Sequence, residues 1–237
     1  MLETIVALFT SLITLFTPLA GTTTSVLQDK TAGTKIDNYP YVVYVTQVKE
    51  DMDNTLILNY SKKISSEAII SANSCKLAIN GGFYDTDYLP LGFVKVGTKT
   101  ISKERDSKLF NGYVWKDKKG GLSFGSSKPD EDTEYIFQTG PYLKIGSNYS
   151  FDGTKNARRM LLAKNATQDI YLVAVLGEEN GFNGPTLAEL SDILFSALDE
   201  YSFVEAVNLD GGSASTFYGL DLHIAEFSPI GALLCIK

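Results

Sequence analysis

The sequence predicts a single α+β domain built on a mixed, mostly antiparallel sheet with few helices. Three observations support this class. Short β-branched and aromatic segments alternate with turn residues over most of the chain. Residues 186–200 have the apolar spacing of an amphipathic helix and lead directly into an apolar strand. The sequence contains no internal repeat, no low-complexity tract and no second domain boundary, so one sheet-based domain accounts for the chain.

The first twenty residues resemble a secretory signal. Residues 5–16 form an apolar run that is shorter than the about 20 residues a transmembrane helix needs. Glu3 precedes the run and no Lys or Arg does, so signal cleavage and a retained N-terminal anchor both stay open. Residues 21–38 are polar and predict a linker, which places the folded domain at residues 39–237. We therefore expect an exported protein, extracellular or in the cell envelope.

Strands are expected where β-branched and aromatic residues cluster between turns. In the first half of the chain these segments are residues 41–48, 55–60, 76–79, 91–96, 98–101, 112–116 and 121–124. In the second half they are residues 134–138, 158–163, 170–176 and 203–207. Residues 170–176 are almost wholly apolar, which predicts a central strand buried on both faces.

Two helices are expected. Residues 65–72 form a short one, capped by Ser65 or Ser66. The longer helix begins with a capping box, in which Thr186 is the N-cap residue and Glu189 is the third helical residue. Apolar residues at helical spacing then form one stripe that packs on the sheet: Leu187, Leu190, Ile193, Leu194, Ala197 and Leu198.

The two cysteines, Cys75 and Cys235, each lie beside an expected strand. Two buried thiols and one disulfide are both compatible with this placement, because the sequence does not show whether the two Cα atoms approach each other. The pairing stays open at this point.

The composition excludes several classes of function. A net charge of −7 argues against nucleic acid or an anionic membrane surface as the main partner. One histidine, His223, and two separate cysteines exclude a zinc site. The chain has no P-loop and no dinucleotide-binding glycine pattern. Residues 211–215 depart from a serine nucleophile elbow at Ser215, and His223 lies beyond a further short strand.

Two glycine-rich stretches at strand ends are the candidates for chemistry. Residues 203–207 predict a buried strand that runs into Asn208, Asp210, Gly211 and Gly212, and residues 76–79 lead in the same way into Asn80, Gly81, Gly82 and Asp85. A carboxylate held at a strand end beside open backbone N–H groups is a plausible reaction centre. The alternative for either stretch is an ordinary tight turn.

Further charged residues lie near other strand ends. Glu178 and Glu179 follow the central strand, and Arg158 and Arg159 begin another. Carboxylates are the usual groups of glycoside cleavage, and a guanidinium matches phosphate oxygens, so the combination favours a sugar–phosphate substrate. A surface ion pair for the arginines and a solvated loop for the two glutamates are equally open.

These motifs occur in the order of a known family. Residues 80–84 read Asn-Gly-Gly-Phe-Tyr, Gly140 and Pro141 precede Leu143, Gly184 to Leu190 carry a Thr-Leu-x-Glu-Leu motif, and residues 208–213 read Asn-Leu-Asp-Gly-Gly-Ser. The chain resembles the phosphodiester glycosidases over about residues 40–220. Bacterial relatives are often described as exopolysaccharide biosynthesis proteins.

The resemblance implies roles for individual residues. It makes Asp210, Arg159 and Asn80 catalytic, with Arg158 as the alternative arginine. The implied substrate-binding residues are Gly81, Gly82, Phe83, Asp85, Asn208, Gly211, Gly212 and Ser213. The arginine strand departs from the family pattern, because Ala163 stands in place of a glycine, and Ser213 replaces a third glycine that often follows the acid.

Taken together, the residues and the resemblance predict an exported glycoside hydrolase acting on a sugar 1-phosphodiester similar to that of N-acetylglucosamine. Asp210 would be the nucleophile or the base, and the second carboxylate stays open among Asp85, Glu178 and Glu179. No organic cofactor is implied, and a divalent cation is compatible with the residues but not required. The competing class is a non-catalytic carbohydrate-binding or envelope-assembly module, in which Trp115, Tyr142 and Tyr149 would stack on sugars.

Overall fold

The structure is a computed structural model that describes residues 33–117, 119–130, 132–151, 153–219 and 221–237. The expected signal segment and residues 21–32 of the expected linker lie outside the described residues. The strands described form three sheets rather than one, and the strand pairs in them are antiparallel. The expectation of mostly antiparallel sheet with few helices is confirmed, but the chain is richer in strands than the α+β class implies.

The largest sheet has six strands and contains the central strand that the sequence predicts. In spatial order its strands are β1 (Thr34–Lys35), β2 (Tyr41–Val48), β12 (Ile170–Gly177), β11 (Arg159–Asn165), β13 (Phe203–Asn208) and β10 (Tyr142–Lys144). β1 falls within the expected linker, where it pairs with β2 and Ile36 is buried. Successive residues of β12 point to opposite faces and are buried on both, as expected for a central strand.

Two five-stranded sheets complete the fold. The second sheet has the order β15 (Leu222–Ile224), β14 (Phe217–Gly219), β4 (Leu77–Asn80), β16 (Ala232–Ile236) and β3 (Asn54–Leu58). The third sheet has the order β6 (Lys99–Ser102), β5 (Val94–Val96), β9 (Tyr135–Thr139), β7 (Gly112–Lys116) and β8 (Leu122–Gly125). One continuous apolar cluster, which includes Ile79, Phe137 and Leu162, joins all three sheets.

The first helix, α1 (Ser66–Asn73), agrees with the prediction. Ser65 is its N-cap residue, and the Ser65 side chain accepts a hydrogen bond from the Ala68 N–H. The helix covers the second sheet. None of the helices in the described part of the chain has the length and apolarity to span a membrane.

The second helix is shorter than the predicted 186–200. A single α-helical turn, α2 (Leu190–Asp192), continues as a π-helical turn at Ile193–Ala197 and a 3₁₀ turn at Asp199–Tyr201. The Leu198 N–H bonds the Ile193 carbonyl five residues back, and this wider turn keeps Leu190, Ile193 and Leu198 all in the core. Glu189 accepts hydrogen bonds from both the N–H and the hydroxyl of Thr186, so the capping interaction forms ahead of α2.

The two cysteines form a disulfide, which resolves the alternative left open by the sequence. The Cα atoms of Cys75 and Cys235 lie 5.3 Å apart, because Cys235 on β16 is opposite Ala78 on the neighbouring β4. Both sulfur-bearing side chains are buried beside α1.

We expect the disulfide to stabilise the fold substantially, because it closes a loop of 160 residues and so restricts the unfolded chain. Replacing both cysteines (Cys75→Ala with Cys235→Ala) should lower the free energy of unfolding by about 2–5 kcal/mol. Urea denaturation of the parent with and without reductant, beside the double variant, measures this. Reductant should destabilise the parent and leave the variant unchanged; equal stability of all samples would contradict the expectation.

Candidate active site

The ends of three strands, one from each sheet, meet at a single place. Asn208 ends β13, Asn80 ends β4 and Thr139 ends β9. The Thr139 hydroxyl donates to the Asn208 carbonyl at 2.9 Å, and the Asp210 N–H donates to the Gly81 carbonyl at 3.1 Å. The two glycine-rich stretches singled out in the sequence therefore lie side by side.

Asn80 fixes the position of the loop that follows β13 and carries Asp210. Its side-chain amide donates to the Asp210 carbonyl at 2.8 Å and to the Gly81 carbonyl at 3.1 Å, and its Oδ1 accepts from the Thr216 N–H at 3.0 Å. Asn80 is 1% exposed and is not among the residues that line the adjoining cavity. Its side chain thus positions the backbone of Asp210, which differs from the substrate contact that the resemblance implies.

A cavity of about 610 Å³ opens in front of Asp210. Its walls are largely apolar, and Phe83 and Phe110 meet edge to face with ring centroids 5.2 Å apart. The lining residues are Phe83, Lys108, Leu109, Phe110, Gly140, Pro141, Ser150, Phe151, Lys155, Ala157, Arg159, Leu187, Asn208, Asp210, Gly211 and Gly212. A volume of this size accommodates a small organic ligand.

Asp210 has a strongly perturbed acidity. Burial raises the pKa of its carboxyl from 3.8 to about 7, although the hydrogen bond from the Gly211 N–H and the charge of Lys155 act in the opposite direction. The Gly211 N–H donates to Oδ1 at 2.8 Å. A carboxyl with this pKa can accept and release a proton near neutral pH, which a general base requires.

The cavity is positively charged in an otherwise acidic chain. Lys108, Lys155 and Arg159 line it, and Asp210 is the only carboxylate among its described lining residues. Lys108 and Lys155 are exposed at the rim, whereas Arg159 is buried. Three cations against one carboxylate favour an anionic ligand.

The two candidate arginines differ in their environment. Arg159 lines the cavity, and its Nε and Nη2 donate to the Pro185 and Lys155 carbonyls, both at 2.8 Å. Arg158 is fully buried outside the cavity lining, where both Nη atoms donate to the Ala225 carbonyl. Burial lowers the pKa of each arginine to about 10, so both remain charged at neutral pH. The structure therefore favours Arg159 over Arg158 at the cavity.

Asn208 has a buried side-chain oxygen without a hydrogen-bond partner among the described residues. Its side-chain amide donates to the Gly140 and Leu209 carbonyls at 2.9 and 2.8 Å, and this pair of acceptors fixes which side-chain atom is nitrogen. Its Oδ1 is buried and has no partner among the described residues. A ligand group that satisfies this oxygen must be a donor, such as a sugar hydroxyl or amide N–H, and not a phosphate oxygen.

The glycines serve close packing more than ligand binding. A Cβ on Gly211 would lie 2.5 Å from the Arg158 carbonyl oxygen, and Gly212 has a φ of +64°. The N–H groups of Gly81, Gly211 and Gly212 all donate hydrogen bonds within the protein. The expectation that these groups are open to a ligand is therefore wrong. Gly81, Gly82 and Ser213 are not among the cavity-lining residues.

The other predicted carboxylates lie elsewhere. Asp85 Oδ1 accepts from the Asp87 and Leu89 N–H groups, both at 2.9 Å, and so caps the 85–89 turn. Glu178 is paired with Lys35, and Glu178 and Glu179 border a separate depression of about 240 Å³. These three carboxylates are not among the residues that line the cavity.

The predicted stacking aromatics are also outside the cavity lining. Trp115 lies on β7, Tyr142 on β10, and Tyr149 stacks on Phe151, which does line the cavity. His223 is hydrogen-bonded to Ser66 at 2.9 Å and does not serve Ser213. No group of three or more His, Cys, Asp or Glu side chains that could hold a metal ion occurs within the described ranges.

The fold and the site define a strand-rich domain with one carboxylate of perturbed acidity at a cationic cavity, and comparison with known proteins identifies the family. The sequence model of the phosphodiester glycosidase family (NAGPA) matches residues 73–232. The chain therefore belongs to the phosphodiester glycosidase family, as the motifs predicted. A comparison with curated protein sequences returns no match.

Two solved structures are similar in fold. The catalytic domain of zebrafish N-acetylglucosamine-1-phosphodiester alpha-N-acetylglucosaminidase, auto-inhibited by its pro-peptide, matches with a TM-score of 0.58 at 17% identity, over 87% of this chain and 86% of that one. A hypothetical protein from Synechocystis matches with a TM-score of 0.58 at 13% identity, over 83% of this chain and 59% of that one. At these identities the likeness concerns the fold alone.

Because the folded-state pKa of Asp210 lies above 3.8, the folded protein retains a proton that the unfolded chain releases between about pH 4 and 7. Asp210 therefore increasingly destabilises the fold as the pH rises through this window. Asp210→Asn removes the charge and retains an acceptor for the Gly211 N–H. We expect it to raise the free energy of unfolding by about 1–4 kcal/mol at pH 8 and to change it little at pH 4.

Denaturant unfolding of the parent and of Asp210→Asn at the two pH values measures this difference. A variant that is equally stabilised, or destabilised, at both pH values would contradict the raised pKa.

Proposed function

We propose that the protein hydrolyses the bond between the anomeric carbon of a sugar and a phosphodiester, releasing the sugar and a phosphate monoester. The single observation that carries this proposal is the Asp210 carboxyl, with a pKa of about 7, at a cavity that three cations line. Membership of the phosphodiester glycosidase family supports the reaction class.

A single carboxylate is sufficient for this reaction. Ordinary glycosidases need one acid to protonate a sugar or alkoxide leaving group and a second carboxylate as base or nucleophile. A phosphate monoester leaves as a stable anion and needs no proton, so the acid is dispensable and charge stabilisation takes its place. Arg159, Lys108 and Lys155 supply that positive charge.

In the proposed step Asp210 acts as the general base. Its carboxylate takes a proton from a water molecule while the water oxygen forms a bond to the anomeric carbon. The bond from the anomeric carbon to the phosphate oxygen breaks, and its electron pair leaves with the phosphate monoester. We prefer this single displacement to a covalent intermediate, because no second carboxylate lines the described part of the cavity to activate water in a second step.

The identity of the sugar is a separate part of the proposal. The name of the zebrafish structure states N-acetylglucosamine as the sugar of that protein, and we take N-acetylglucosamine 1-phosphodiesters as the first substrates to test. The unpartnered Oδ1 of Asn208 is buried, and a hydroxyl or an acetamido N–H of such a sugar would have to enter the cavity wall to donate to it. Export to the cell envelope or the medium is the location we propose, on the signal-like residues 1–20.

We expect Asp210→Asn to lower kcat for an N-acetylglucosamine 1-phosphodiester by about 100-fold or more, because no proton acceptor would remain at the reacting water. Lys108→Gln should mainly raise KM, because this exposed rim cation attracts the anion. Steady-state hydrolysis assays on folded variants measure both effects. Asp85→Asn is the matched control, since Asp85 belongs to the other glycine-rich stretch, residues 80–85, but lies outside the cavity lining. This variant should keep the parental kcat.

A parental kcat in Asp210→Asn would overturn the assignment of Asp210. If the parent turns over none of a panel of α- and β-linked sugar 1-phosphodiesters, the enzyme proposal fails. Measurable glycan binding by the same sample would then favour the non-catalytic carbohydrate-binding module.

A single displacement inverts the anomeric configuration. We therefore expect the first sugar released from an α-linked substrate to be the β anomer, followed in real time by proton NMR before mutarotation. Release of the α anomer would show retention and would make Asp210 a nucleophile that forms a covalent glycosyl-enzyme.

A further inference from the structure

Two phenylalanines form an exposed aromatic pair, and one of them is hydrogen-bonded to the loop that follows Asp210. Phe182 is 62% exposed and Phe227 is 55% exposed, yet their rings stack with centroids 4.5 Å apart at an angle of 23°. Exposed apolar surface of this kind, held in a fixed arrangement, commonly marks a contact site.

The pair is hydrogen-bonded to residues 208–213, the loop that carries Asp210. The N–H groups of Phe227 and Ser228 both donate to the Ser213 carbonyl, at 2.8 and 2.9 Å. The guanidinium of Arg158 lies 4.9 Å from the centre of the Phe227 ring, and the Arg158 carbonyl accepts from the Gly212 N–H. Gly212 lines the cavity and Ser213 follows it, so the backbone of Phe227 bonds to the residue next to the Gly211–Gly212 edge of the cavity, although neither phenylalanine lines the cavity itself.

Several polar groups near the pair are hydrogen-bonded within the protein. Both Nη atoms of Arg158 donate to the Ala225 carbonyl, whereas its buried Nε has no partner among the described residues. Glu226 accepts from the N–H and hydroxyl of Ser66, and the Asn180 Oδ1 accepts from the Phe182 N–H. Phenylalanine has no hydrogen-bonding group of its own. The two exposed rings themselves therefore offer no hydrogen bond to the hydroxyl groups of a second sugar, whereas they suit an apolar group.

We propose that the Phe182–Phe227 pair binds an apolar alcohol portion of the substrate, on the side of the phosphate remote from the sugar. The inference rests on the proposed function and extends it: the preferred substrate is a sugar 1-phosphodiester of a hydrophobic alcohol, such as an alkyl or isoprenoid chain. The sugar occupies the cavity at Asp210, and the chain leaves over the Gly211–Gly212 edge onto the two rings. Phe182 and Phe227 then determine specificity without touching the reacting atoms.

The test compares three N-acetylglucosamine 1-phosphodiesters, whose second ester group is methyl, hexyl or glucose attached through its 6-oxygen. Their phosphate leaving groups are chemically similar, so differences in kcat/KM report binding of the second group. We expect the parent to prefer hexyl over methyl by about tenfold, in line with burial of a short alkyl chain against two rings. Phe182→Ala should abolish this preference and leave kcat/KM for the methyl ester unchanged, while Phe182→Leu should retain part of it.

Ile145→Ala is the matched control. Ile145 is 48% exposed, and its N–H bonds the Val204 carbonyl near the end of β13 remote from Asp210. This variant should keep the parental preference for hexyl. Calorimetric binding of the three corresponding phosphonates, in which carbon replaces the bridging oxygen at the anomeric position, gives a second readout that needs no turnover.

The outcomes separate this inference from the proposed function. Asp210-dependent hydrolysis with a hexyl preference that Phe182→Ala leaves intact, or with no hexyl preference, overturns the inference alone. A preference for the glucose ester that depends on Phe182 overturns the apolar chain in favour of a saccharide. If no ester is hydrolysed, the proposed function fails, and the calorimetric binding of the phosphonates tests the inference on its own. Tighter binding of the hexyl than of the methyl phosphonate by the parent, but not by Phe182→Ala, supports the inference. Equal binding of the two phosphonates by the parent, or no binding, overturns it.

Discussion

The hydrogen bond from the Asn80 side chain to the Asp210 carbonyl is the constraint on which the site depends. It joins the end of β4 to the loop after β13 and so links two sheets at the point where the third sheet also ends. Asn208 makes the corresponding connection to Gly140 after β9. Because each amide satisfies backbone carbonyls at a buried junction, replacing either would leave unpaired polar groups in the core. The two similar glycine motifs, residues 80–82 and 208–212, therefore form one joint between the sheets.

This joint places a half-buried carboxylate at the wall of the cavity. Burial makes the charged form of Asp210 costly, and the Gly211 N–H and the charge of Lys155 offset only part of that cost. A stable fold would not select such a residue for its own sake, whereas a base that works near neutral pH requires it. The lysines at the rim of the cavity have a related role. An acidic chain attracts an anionic substrate only if positive charge is concentrated at the entrance of the site.

The sequence was informative where the signal is local. Residues 41–48 form a strand with the predicted bounds because alternation and flanking turns define it, and Ser65 caps α1 as its position suggests. A short strand before His223 is expected without bounds and corresponds to Phe217–Gly219, whereas the strand at Leu222–Ile224 is not predicted, since three residues carry too little periodicity. The helix after Thr186 was overestimated, because tertiary packing widened it into a π turn that no propensity records. The disulfide depends on the register of β4 against β16, which no local pattern reveals.

The site was predictable in its centre and not at its edges. Asp210, Asn208 and Arg159 belong to motifs at strand ends, and all three line the cavity. Lys108 and Lys155 come from loops far apart in the chain, and the lysines themselves have no distinguishing neighbours, so only the folded structure brings them together. Phe110 and Phe151 were missed for the same reason. Asn80 was found by its motif, but its orientation towards the backbone could not be derived from the residue type.

The most direct test of this account is the titration of the Asp210 carboxyl by carbon NMR, on protein labelled at aspartate and assigned with Asp210→Asn. The account predicts a midpoint of about 7, set by burial. A midpoint close to 4 would contradict it, because a carboxyl that ionises as if in water would be neither desolvated by the joint of the three sheets nor adapted to act as a base at neutral pH.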